Sequence, residues 1–202
     1  RTSCFSERCL SRTIQRFYGT ITANRHGTTR KMEAIRTKSG LLVDPFTITQ
    51  EQIGELDFIH SLSCINRYTG WAKYPFSVGQ HTYNLAKHVP TKLRKAAIVH
   101  DMAETFFNDL ASPVKSEYED YREDEKVCLN RIALYYKVPV SDFKDLDPYD
   151  KAIYIDERNV LFDNIGPPGM GDERVGLGVD PWFMRERHWR EVYMDLSRLH
   201  IE

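Results

Sequence analysis

Pro90 separates two helical patterns and so constrains how the middle of the chain can fold. The first pattern begins after Ser77, a favoured N-cap residue, and runs from residue 78 to about residue 89. The second begins after Thr91, which is expected to cap it, and runs to about Phe106. A proline inside a helix removes a hydrogen bond and clashes with the preceding turn, so the first helix must stop here. We therefore expect a tight connection between two antiparallel helices.

Each leg of this hairpin carries potential metal ligands. His81 lies nine residues before Pro90, and His100 lies ten residues after it. At about 1.5 Å of rise per residue, both legs span a similar height, which returns the two histidines to the same level. Asp101 follows His100 directly, and Glu104 lies within one turn of both on the same helix face. Imidazoles and carboxylates together form a mixed nitrogen and oxygen site of the kind that binds borderline divalent metals.

The rest of the chain predicts a mainly α fold. Thr49 is expected to cap a helix that begins near Gln50, with Gln52 at the capping-box position. This pattern continues towards Ile65. Strand signals are sparse beyond a short extended segment at 41–45. Further helical patterns lie around 116–137, 148–164 and 181–199.

Length and cysteine usage fit an intracellular protein with one main domain. The chain has 202 residues and no apolar run near the roughly 20 residues that span a bilayer, so we expect no membrane partner. The cysteines show no paired spacing, which argues against a zinc ribbon or a disulfide framework and favours a reducing cytoplasm. They are Cys4, Cys9, Cys64 and Cys128.

Charge divides the chain into a basic leader and an acidic body. Residues 1–31 carry seven Lys or Arg and one Glu, which leaves about seven more acids than bases in 32–202. The leader could be an arm for nucleic acid, a targeting peptide or an extension outside the native fold. Met32 resembles a natural start, so we favour a disordered extension followed by a single domain over 32–202.

Four motifs in order resemble the signature of the HD-domain phosphohydrolases. The resemblance covers most of residues 45–165 and is nearest to the bacterial 5′-deoxynucleotidase branch and related phage enzymes. It implies a helical bundle with a metal site between its helices. The motifs are Ile65-Asn66-Arg67, Ser77-Val78-Gly79-Gln80-His81, His100-Asp101-Met102-Ala103-Glu104 and the segment 108–115.

The resemblance also implies a ligand set for one divalent metal ion, which would be manganese, cobalt, zinc or iron. Asp150 is the ligand most distant in sequence, and Asp147 and Asp156 are its rivals; Asp147 could instead cap the helix beside Pro148. The four implied ligands are His81, His100, Asp101 and Asp150.

Five further residues are candidates for catalysis and substrate binding. Glu104 could position or deprotonate a water molecule, or protonate the leaving oxygen, and Asp109 could orient water or a ligand. Arg67 and Lys115 could neutralise phosphate, although either could be an ordinary solvated charge. Trp71 could stack on a base or wall the pocket, with a core position as the alternative.

The resemblance to the deoxynucleotidase branch implies a hydrolase that releases phosphate from deoxynucleoside monophosphates. The first alternative is a deoxynucleoside triphosphate hydrolase that releases pyrophosphate or triphosphate. A second alternative, of another class, is a non-catalytic module that binds metal or nucleic acid. A nucleic-acid partner is not favoured, because the basic leader lacks interleaved aromatic residues beyond Phe17-Tyr18. The resemblance further implies a homo-oligomer, a dimer or larger.

Overall fold

The computed structural model describes residues 34–163 and 189–201. Contacts group the chain into two units, Arg1–Pro45 and Phe46–Glu202. The described part of the first unit is a short antiparallel pair of strands, β1 (Ile35–Arg36) and β2 (Leu42–Val43). The predicted leader, 1–31, lies outside the described residues.

The second unit is built from helices, and the predicted mainly α class is confirmed. Its α-helices are α1 (Gln50–Gly54), α2 (Phe58–Cys64), α3 (Val78–His88), α4 (Arg94–Val99), α5 (Glu104–Phe107), α6 (Ser112–Lys115), α7 (Glu119–Tyr136), α8 (Val140–Leu161) and α9 (Trp189–Ile201). Short 3-10 turns lie at Tyr68–Gly70 and Thr91–Leu93. Among the described helices, none combines the length and the apolar character needed to cross a membrane.

Local capping chemistry sets the start of the first helices. Thr49 caps α1 with a complete capping box through Gln52, as predicted. Ser77 caps α3 as predicted, and Gln80 completes a second capping box there. The expected continuous helix from Gln50 towards Ile65 is wrong, because α1 ends at Gly54. Asp57 then accepts a hydrogen bond from the His60 amide and starts α2.

The hairpin around Pro90 forms, but its second leg is not one helix. Thr91 makes no side-chain cap and begins a 3-10 turn, and α4 ends at Val99. Residues 100–103 form turns before α5 begins. The Ala97 carbonyl would bind the Asp101 amide in a continuous helix, and it accepts a hydrogen bond from His100 Nδ1 at 2.7 Å. A side chain thus binds this backbone acceptor at the point where the helix ends.

The later helices lie near their predicted positions with shifted ends. Helix α7 covers most of the predicted 116–137. Helix α8 starts eight residues before the predicted residue 148, so that Pro148 lies inside it. Burial of Leu146 and Ile153 on either side of the proline keeps the helix packed despite the lost backbone hydrogen bond. Helix α9 covers the described part of the predicted 181–199.

Helix α3 is the centre of the second unit. It packs against α2, α4, α8 and α9, and eight of its eleven residues are buried. Gly79 allows the approach to α2, because a Cβ atom here would lie only 2.9 Å from both Cα and Oγ of Ser63. The absence of a side chain at Gly79 therefore allows the two helices to lie this close together.

Replacing Gly79 with alanine is expected to destabilise the protein by about 1–3 kcal/mol, the usual cost of overpacking a core. Gly54→Ala is the matched control, since its new Cβ would meet mainly the end of the half-exposed Tyr135 side chain. We expect the control to change stability by less than about 1 kcal/mol, the size of the glycine–alanine helix propensity difference. Urea unfolding followed by circular dichroism measures both, and equal stability of the two variants would contradict the packing argument.

Candidate metal centre

Four side chains from three parts of the second unit meet at one point. His81 comes from α3, His100 and Asp101 from the end of α4, and Asp150 from α8. The distances from His81 Nε2 are 3.2 Å to His100 Nε2, 3.1 Å to Asp150 Oδ1 and 3.6 Å to Asp101 Oδ2. Ligand atoms of His81, His100 and Asp150 all lie within 4.8 Å of one another, so this group could hold a metal ion. The structure thus brings together the four residues that were predicted from the sequence as metal ligands.

The positions of the three candidate aspartates on α8 show which of them can act as the distant ligand. Asp150 presents its carboxylate to His81; burial opposes its ionisation, but the hydrogen bond with His81, followed by the charges of His81 and His100, lowers the pKa of Asp150. Asp147 is exposed to solvent, and Asp156 lies almost two turns further along the helix. Asp150 is therefore the one of the three placed to act as a ligand.

The two imidazoles have the separation expected of ligands to one ion. Nitrogens bound to a single tetrahedral metal at about 2.0–2.1 Å lie about 3.3–3.4 Å apart, close to the 3.2 Å between His81 and His100. His100 donates a hydrogen bond from its Nδ1–H to the Ala97 carbonyl, and His81 Nδ1 lies 2.7 Å from Glu157 Oε1. Both Nε2 atoms are therefore directed at each other and into the centre.

The surroundings of His81 favour positive charge at this point. Its burial and the charge of Arg67 oppose protonation, but Glu157 and a hydrogen bond to Asp150 outweigh them and raise the pKa of His81 to about 10. A site that stabilises an imidazolium among carboxylates also suits a metal cation.

Asp101 supplies a second sign that a cation fits. Burial opposes its ionisation, but His100, followed by His81 and Arg67, holds the pKa of Asp101 well below its usual range. Its buried Oδ2 lies 3.1 Å from His100 Nε2, yet it has no aligned hydrogen bond. A buried carboxylate oxygen without a hydrogen bond is costly, and a bound metal would satisfy it. The donor set and this oxygen therefore both fit a divalent ion.

Glu104 lies beside the centre, and its pKa is shifted in the opposite direction to that of Asp101. Burial, followed by the charges of Asp101 and Asp109, raises the pKa of Glu104 to about 10. Its buried Oε2 also has no hydrogen-bond partner. With no cation bound, the protonated form of Glu104 is therefore favoured. It lines a cavity of about 200 Å³ together with His100, Asp101, Lys115 and residues of α7.

The structure places the remaining candidates at different distances from the centre. Arg67 is 13% exposed and lies 3.8 Å from Asp101, and Asp109 is close enough for its charge to act on Glu104. Lys115 lines the cavity but forms an ion pair with Glu125. Trp71 is 82% exposed, which excludes a core position, and it is not among the residues that line this cavity.

Sequence reasoning missed Glu157 and Tyr68. The Glu157 side chain is fully buried and accepts a 2.5 Å hydrogen bond from the Tyr68 hydroxyl, while Arg67 Nε lies 3.5 Å away. A signal was present, because Glu157 lies four residues after Ile153 and four before Leu161, on the apolar face of α8. It also follows Asp150 by two turns, which places both acids near the same side of the helix.

Asp150→Ala is expected to weaken metal binding at least about tenfold, because even residues that only orient ligands contribute 10–100-fold. Asp147→Ala is the matched control on the same helix and should bind metal as the wild type does. Titration of the metal-free proteins with Mn²⁺ or Zn²⁺ in a calorimeter measures both affinities. Equal weakening in the two variants would show that Asp150 is not a ligand.

Comparison with known proteins adds one relative. No family model matches the chain. The "Uncharacterized protein YfdR" of Escherichia coli (strain K12) is 33% identical over 97 residues, which are 48% of this chain and 54% of that protein. The chain thus spans about half the length of the curated relative it matches, and the name of that relative states no activity.

Proposed function

We propose that this protein is a metal-dependent phosphohydrolase of the HD-domain type that releases phosphate from deoxynucleoside monophosphates. One observation carries the proposal: His81, His100 and Asp150 form a group that could hold a metal ion, and this group borders a cavity that is also lined by the buried acid Glu104. The order of the sequence motifs that include these residues supports the same assignment.

A bound divalent ion would lower the pKa of a water molecule and polarise a phosphoryl oxygen. Glu104 lies next to that position and can donate a proton to the oxygen that leaves with the sugar. Arg67 neutralises anionic oxygens near Asp101 through its planar guanidinium. Lys115 can add a second positive charge when its pairing with Glu125 loosens.

The cavity favours the smaller substrate class. At about 200 Å³ it is smaller than the roughly 300–1,000 Å³ typical of pockets for drug-sized ligands. Hydrolysis of deoxynucleoside triphosphates therefore remains the second candidate.

A purely structural metal site explains fewer of the observations. Structural sites are closed by protein ligands, whereas His100 and Asp101 here border an open cavity. Such a site also gives no reason to bury Glu104 with an unpartnered oxygen. These two features favour a catalytic over a binding role.

The proposal is tested by incubating the protein, loaded in turn with Mn²⁺, Co²⁺, Zn²⁺ or Mg²⁺, with nucleotides. The panel contains deoxynucleoside and ribonucleoside monophosphates, deoxynucleoside triphosphates and cyclic nucleotides, with products separated by chromatography. We expect inorganic phosphate and a deoxynucleoside from the monophosphates. Release of pyrophosphate or triphosphate would show that the protein is instead a deoxynucleoside triphosphate hydrolase. Absence of turnover with every metal would favour the non-catalytic binding module.

Glu104→Gln is expected to retain the metal and lower kcat by about 10²–10⁴-fold, the usual contribution of a positioned acid or base. The exposed Glu117→Gln is the matched control and should keep the wild-type rate. Metal content by mass spectrometry and initial rates of phosphate release separate the two effects. A fully active Glu104→Gln variant would remove this residue from the mechanism.

A further inference from the structure

We infer that Glu157 is a positioning residue that fixes the tautomer of His81 and so sets the affinity of the metal centre. The inference rests on the proposed function in one respect, that the metal binds His81 through Nε2. It concerns the step before catalysis and assigns a role to the one fully buried acid of the described chain.

The hydrogen bonds around Glu157 determine where the His81 proton lies. The Glu157 carboxylate lies 2.5 Å from Tyr68 Oη and 2.7 Å from His81 Nδ1, and Arg67 Nε is 3.5 Å away as an ion pair without an aligned hydrogen bond. Tyr68 donates its hydroxyl proton, and the charge of Arg67 lowers the pKa of Glu157, so the ionised carboxylate acts as an acceptor. His81 Nδ1 must then carry a proton, and in the neutral ring the lone pair is left on Nε2. Nε2 is the atom that faces His100 and Asp150.

The position of Glu157 is difficult to explain by stability. It lies between Ile153 and Leu161, two fully buried apolar residues of α8. A buried ion pair contributes little to folding, and apolar residues of similar volume often stabilise such positions better. A carboxylate behind a ligating histidine has a clear use, however, because it orients the ring and increases its basicity towards the metal.

Tyr68 holds the other oxygen of this carboxylate. The residue adopts φ 58°, followed by Thr69 at φ 53°, which is unfavourable backbone for both side chains. This turn directs the Tyr68 hydroxyl to Glu157, and the ring packs edge-on against Phe162 at 5.2 Å. The Tyr68 hydrogen bond restrains the carboxylate, so that Oε1 faces His81. Tyr68 thus acts one step further from the metal than Glu157.

Two variants and a control test the inference without any nucleotide. Glu157→Gln should raise the dissociation constant for Zn²⁺ about 10–100-fold, as is usual for groups that orient ligands. Tyr68→Phe should raise it by a smaller factor, and the exposed Asp145→Asn on the same helix should leave it unchanged. Competition with a fluorescent chelator measures the affinities, and circular dichroism shows that each variant is folded.

The tautomer is measured directly in the wild-type protein, so this arm does not depend on how any variant folds. In the zinc-loaded protein labelled with ¹⁵N at histidine, we expect His81 to carry its proton on Nδ1. A folded Glu157→Gln variant with wild-type zinc affinity, or a His81 proton on Nε2, would overturn the inference. A protein that hydrolyses no nucleotide but passes both measurements would contradict the proposed function and leave this inference standing.

Discussion

The close approach of His81 Nε2 and His100 Nε2 is the interaction on which the rest of the centre depends. Two imidazole nitrogens 3.2 Å apart, with both rings bonded through Nδ1, need a positive charge between them. Asp101 and Asp150 supply negative charge at the same point. This arrangement stabilises a cation in the interior of a helical unit, where an unpaired ion would be very costly.

The fold can be understood as the support for this pair. Helix α3 is enclosed by four other helices, so His81 is held by packing on all sides. Gly79 allows that packing on one side, and Glu157 fixes the ring on another. The end of α4 supplies the second histidine, and His100 binds the Ala97 carbonyl at the point where this helix ends. The same hydrogen bond therefore orients a proposed ligand, and Asp101 lies on the turn beside it.

Local sequence signals predicted much of this arrangement, and tertiary contacts decided the rest. The caps at Thr49 and Ser77 were predictable because a side chain and an amide three residues away suffice to form them. The convergence of His81 with His100 followed from Pro90 and the rise of a helix. The break after Val99 was not predictable, because a helical pattern does not reveal which carbonyl a histidine will bind. Glu157 was missed because its burial depends on α3 lying against α8, which no local pattern specifies.

The central claim is that the His81–His100 pair binds a metal ion, and anomalous X-ray diffraction tests it most directly. Crystals grown with Zn²⁺ and measured on both sides of the zinc absorption edge would locate the ion. The account predicts one strong peak about 2.0–2.1 Å from both Nε2 atoms, with Asp101 and Asp150 oxygens at about 2.0–2.2 Å. A map with no peak between the histidines, or with zinc bound only elsewhere on the chain, would contradict it.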